Sequence, residues 1–109
     1  VGIFLSRRVT KRMNALVDDR PAQMRQRLAI LMDAQRYEEV AALEPRFERL
    51  QLLDEDPYVY SLAYAYYRIG AYDDAERLLL DVQSPEYFED AMVLRGSIQN
   101  CREKPWWCE

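Results

Sequence analysis

Cys101 and Cys108, in the segment CREKPWWC, are the residues of this chain best suited to covalent chemistry. Their separation allows a disulfide that pins the tail across Pro105, and it is equally compatible with two reduced thiols. The first state belongs to an oxidising compartment, the second to the cytosol. Two thiols without a histidine do not make up a four-ligand zinc site. The chain has no histidine at all, which removes the commonest general base and metal ligand. Ser6, Thr10, Ser61, Ser84 and Ser97 have no base to activate them, and no glycine-rich phosphate loop occurs. Asp54, Glu55 and Asp56 precede a proline and lack calcium-loop spacing; they read as a solvated loop and a helix start. A protein without catalysis, metal or cofactor is expected.

Recognition is a better use of these residues. The segment VYSLAYAYYRIGAYDD, residues 59–74, holds five of the eight tyrosines. On a helix over 57–69, Tyr60, Tyr64, Tyr67 and Arg68 fall on one side, while Leu62, Tyr66 and Ile69 are expected to face a partner helix. Tyrosine offers a large contact area at small rotamer cost, together with a hydroxyl for a peptide backbone. The same rings can instead pack between neighbouring helices.

Charge narrows the choice of partner. Residues 1–36 carry eight Lys/Arg against three Asp/Glu, and residues 37–109 carry seven against sixteen, within a net charge of -4. The aromatic part is thus the acidic part, the reverse of a nucleic-acid module. A protein partner is expected, and no nucleic acid. The opening VGIFLSRRVTKR places a short apolar stretch before Arg7, Arg8, Lys11 and Arg12. It reads either as the end of a membrane anchor lying upstream of residue 1, with the basic residues on the cytoplasmic side, or as a basic helix that turns Ile3, Phe4, Val9, Met13, Leu16 and Val17 inward.

The elements that position these residues are helices. Met24, Leu28, Leu31 and Met32 recur at three- and four-residue spacing, as do Val40, Leu43 and Phe47, then Val59, Leu62, Ala63 and Tyr66, then Ala75, Leu78, Leu79 and Val82. No useful stretch alternates with period two, so the class is all-α. Asp19 or Arg20 before Pro21, Asp56 before Pro57, and Ser84 before Pro85 look like caps followed by a first-turn proline. Gly70 closes one helix, and Asp73 and Asp74 open the next near the positive end of its dipole. Pro45 falls inside an expected helix from Arg36 to about Leu53 and should kink or restart it.

Two stretches repeat. Leu28-Ala29 aligns with Leu62-Ala63 at an offset of 34, and RYEEVAAL (36–43) with AYDDAERL (71–78) at 35. With Val59, Leu62, Ala63, Tyr66, Gly70, Tyr72, Ala75 and Leu79 on its pattern, the second copy resembles the tetratricopeptide repeat. Val59 replaces the usual tryptophan there, and Leu79 an aromatic. The first copy keeps Leu28, Ala29, Tyr37 and Val40, with Gln35 near the expected glycine and one residue fewer in the turn; a third is suggested by Ala91, Leu94, Gly96 and Ile98. The resemblance implies a short solenoid of five or six helices over 21–101, between a basic segment (1–20) and a tail (102–109). It further implies a concave groove that grips a partner peptide or helix through Tyr60, Tyr64, Tyr67 and Arg68, joined by Gln26 and Ile30 with Gln23 and Asp33. A cytoplasmic scaffold, attached to the inner face of a membrane if the anchor reading holds, is the expected role. A self-associating module or an enzyme's regulatory subunit is the alternative, and a nucleic-acid binder stands last.

Overall fold

The structure, a computed structural model, describes residues 19–108. The expectations for Ile3, Phe4 and the other residues up to 18 lie outside it. Among the described residues the fold is all-α, without a strand. Six α-helices follow one another: α1 (Arg20–Asp33), α2 (Tyr37–Ala41), α3 (Glu44–Arg49), α4 (Asp56–Arg68), α5 (Tyr72–Leu79) and α6 (Pro85–Glu103). Short 3-10 turns cover Leu52–Asp54 and Pro105–Trp107. No described helix is long and apolar enough to cross a membrane.

Prolines start α1, α3, α4 and α6 from the first turn, where a missing N–H costs nothing. Pro45 therefore restarts the helix instead of kinking it: α2 ends at Ala41 and α3 begins at Glu44. The expected side-chain caps do not form at Asp19 or Ser84. Asp56 is the first residue of α4, and its carboxylate accepts the N–H groups of Ser84 (2.6 Å) and Gln83 (3.2 Å), tying the start of α4 to the start of α6. Glu55 pairs with Arg25 at 2.9 Å. The acidic triplet is thus partly engaged, not simply solvated.

The corners α1–α2 and α4–α5 are built alike. Arg36 N–H bonds to Leu31 O, and Ala71 N–H to Tyr66 O; Gln35 N–H bonds to Met32 O, and Gly70 N–H to Tyr67 O. In both, a left-handed residue closes the helix, Gln35 at φ 57° and Gly70 at φ 83°, the pattern of a Schellman ending. The corners stand 35 residues apart with equal turns, so the turn of the first copy is not one residue short. In that register Leu28 matches Ala63, both buried, and Ala29 lies exposed opposite Tyr64. Gly70 has open space around a notional Cβ, so strain comes from its φ alone. Gly70→Ala is expected to cost about 1 kcal/mol, read as a lowered urea midpoint with an unchanged slope.

The core lies around α4, which packs on α2, α5 and α6. Val40, Phe47, Val59, Leu62, Leu78 and Ile98 are its largest fully buried side chains. Ala63 on α4 and Ala75 on α5 are also fully buried, and these two helices pack on each other; small side chains let two helices approach closely. α6 continues for 19 residues without a second helix of its own among the described residues. It ends at the Cys101–Cys108 disulfide, whose Cα atoms are 5.6 Å apart. Of the two cysteine states open from sequence, the bonded one is present.

Candidate functional site

α4 sets its rings at successive turns, and the neighbouring helices contribute more. Tyr64 meets Tyr37 of α2 edge-on at 5.6 Å between centroids. It also lies 6.1 Å from Tyr67, which in turn stands 6.1 Å from Tyr72 of α5. The row Tyr37–Tyr64–Tyr67–Tyr72 therefore runs across both helix pairs, and each of the four residues is half-buried. Contacts of this kind add about 0.5–1.5 kcal/mol per pair beyond the area they bury.

Arg68 completes the row. Its guanidinium lies 4.9 Å from the Tyr37 ring centroid and 5.9 Å from that of Tyr64, within cation–π range. Its Nη1 donates to the Tyr64 hydroxyl at 3.1 Å, a bond that raises the affinity of Arg68 for its proton. The Tyr67 hydroxyl lies 3.7 Å from Sγ of Cys101. Beside it a cavity of about 260 Å³ opens between Tyr67, Arg68, Tyr72 and the disulfide. The bridge thus forms one wall next to the tyrosines.

The remaining candidates separate from this cluster. Tyr60 belongs to a second aromatic pair, 6.1 Å from Tyr87 of α6; burial first, and then the charge of Asp90, push its hydroxyl pKa up. Gln26 and Ile30 are exposed on α1, and neither makes a hydrogen bond, ion pair or ring contact with the cluster. By corner register the counterparts of Tyr60 and Tyr64 are Arg25 and Ala29, one position earlier. Arg25 is engaged elsewhere, 5.8 Å from the Tyr58 ring and paired with Glu55. Tyr37 and Tyr72 join the row although neither was singled out for it. Both open a second helix before two acids, and both lie at the 35-residue spacing.

Tyr66 fixes the rotation of α4. Its hydroxyl donates to Glu44 Oε1 at 2.6 Å, so it reaches toward α3 instead of facing only α5. Glu44 in turn accepts two bonds from Arg77 of α5, at 2.9 and 3.0 Å. One carboxylate, only 9% exposed, therefore joins α3, α4 and α5. Ile69, expected to face a partner helix, is exposed.

A larger open cavity, about 1130 Å³, lies between the loops before α4 and α6. Glu48, Asp54, Glu55, Asp56, Asp81 and Glu86 face it with no Lys or Arg. Two of these acids are occupied by Arg25 and by backbone N–H groups. This crevice is wider than the cavity beside the disulfide, and its charged lining is acidic. No cluster of His, Cys, Asp or Glu able to hold a metal occurs among the described residues. Comparisons of the chain with protein-family models, curated proteins and solved structures gave no match.

Proposed function

We propose that this chain is a non-enzymatic interaction module of tetratricopeptide type, which holds an extended peptide or a helix of a partner protein against the tyrosine face of α4. The observation that carries the proposal is the half-buried row Tyr37–Tyr64–Tyr67–Tyr72 with the Arg68 guanidinium across it. Such a surface gives broad contact area at little entropic cost and keeps hydroxyls and one cation for a peptide backbone or carboxylate. Two helix pairs with matching corners 35 residues apart, and the buried Ala63 and Ala75, support the repeat reading. Disulfides persist in oxidising compartments, so the Cys101–Cys108 bond favours a location outside the reducing cytoplasm, in contrast to the cytoplasmic expectation.

Capture of a partner by the full chain tests this reading. Tyr64→Ala combined with Tyr67→Ala is expected to abolish capture. Arg68→Ala, at an exposed position, is expected to weaken capture several-fold while leaving the melting temperature unchanged. Equal capture by wild type and both variants would overturn the proposal.

A further inference from the structure

The Cys101–Cys108 bridge does little to hold the helices together. It joins residues seven apart, the last turn of α6 and the tail behind it, and a bridge that closes so short a loop constrains the unfolded chain least. The end of α6 is fastened to α5 by other means, since Arg102 pairs with Asp73 and Glu76.

The two sulfurs stand in different surroundings. Cys101 is only 2% exposed, whereas Cys108 is an exposed residue. The Tyr67 hydroxyl lies 3.7 Å from Cys101 Sγ and makes no other hydrogen bond among the described residues. A bonded sulfur is a weak acceptor for that hydroxyl, and a thiolate, being charged, a much better one. The cavity of about 260 Å³ beside the bridge is lined by both cysteines, and its one charged lining residue is Arg68, which has no acid partner among the described residues. An incoming thiolate therefore meets a cation at the entrance and a proton donor at the buried sulfur.

We infer that the Cys101–Cys108 bond is a thiol–disulfide exchange site, which reacts in the folded protein with a low-molecular-weight thiol. The thiolate attacks Sγ of Cys108, the accessible end. A new S–S bond forms there and the Cys101–Cys108 bond breaks. Its electron pair leaves on Cys101 as a thiolate, which accepts the Tyr67 O–H and then takes up the proton that the thiol released. A second thiol attacks the sulfur of the first in the mixed disulfide and frees Cys108. Two thiols are thus oxidised to one disulfide while the bridge is reduced to two thiols. Exchange is faster the better the leaving thiolate is stabilised, and Tyr67 supplies that stabilisation.

Glutathione, added to the full chain without denaturant, tests this. Early in the reaction, with remaining thiols blocked by N-ethylmaleimide, the adduct is expected on Cys108 and not on Cys101; cleavage after Arg102 puts the two cysteines on separate peptides. Tyr67→Phe keeps the ring and removes the hydroxyl, and is expected to slow opening of the bridge about fivefold, the kinetic equivalent of one ordinary hydrogen bond. A substitution that merely loosened the fold would speed the reaction instead. In urea that unfolds both chains, wild type and variant are expected to react alike, with the adduct divided between the cysteines. An unreactive folded chain, an adduct on Cys101, a Tyr67→Phe rate equal to or above that of wild type, or a slowing or a preference for Cys108 that persists in urea would each overturn the inference.

Discussion

Replacing Glu44 with alanine is expected to lower the stability of the fold by about 2 kcal/mol, because a half-buried hydroxyl and a guanidinium lose their acceptor together. The carboxylate takes bonds from Tyr66 and, twice, from Arg77. Arg77 is half exposed and regains water, so the loss falls short of that for a fully buried pair. The pH dependence is the sharper signature. Arg77, opposed by burial and aided by Tyr66, holds the Glu44 carboxyl below its ordinary value of 4.5. Its stabilising contribution is therefore complete above that pH and is lost as the pH falls through the folded-state value. Burial and then Glu44 push the Tyr66 hydroxyl above its ordinary 10. An unfolded chain releases that proton near 10 while the folded chain keeps it, so stability falls again at higher pH.

The isosteric Glu44→Gln cannot ionise, and urea midpoints measured against pH should show most of the acid loss gone. A smaller acid limb is expected to persist from Asp56. Burial pushes its carboxyl pKa up, but the Ser84 and Gln83 hydrogen bonds outweigh this and hold it down. An acid limb in Glu44→Gln equal to that of wild type would show that the carboxylate carries no such role.

The helices were legible because their signals are local. The proline starts and the spacing of apolar residues place α4 within one residue at each end, and Pro45 marks the break between α2 and α3. Gly70 announces a left-handed corner, whereas Gln35, which adopts the same geometry, carries no such mark. A glutamine takes positive φ only because the two bonds of the corner hold it there. That silence shifted the expected register of α1 by one residue and brought Gln26 and Ile30 forward in place of Arg25 and Ala29. The Glu44–Tyr66–Arg77 junction was hidden for another reason: its members lie 22 and 33 residues apart. An acid before a proline looks like ordinary first-turn chemistry until the fold brings its partners to it.

Ala63→Leu tests the repeat geometry at its tightest point. Ala63 is fully buried on α4, and Ala75, fully buried as well, lies on the helix packed against it. Leu62, Val59 and Leu78 fill the core nearby, so a leucine side chain has no cavity to enter. It must push α4 from α5 or leave its rotamer, and either costs about 1–3 kcal/mol. The displacement also reaches the proposed binding face, because the row from Tyr64 to Tyr72 is continuous only while α4 and α5 keep their spacing. Ala63→Leu is therefore expected to lower the urea midpoint and to weaken partner capture beyond the fraction of chain that it unfolds. Arg68→Ala, by contrast, should weaken capture with the midpoint unmoved. A leucine at position 63 that left the midpoint unchanged would mean that the two helices do not meet through their alanines, and the repeat reading would lose its physical basis.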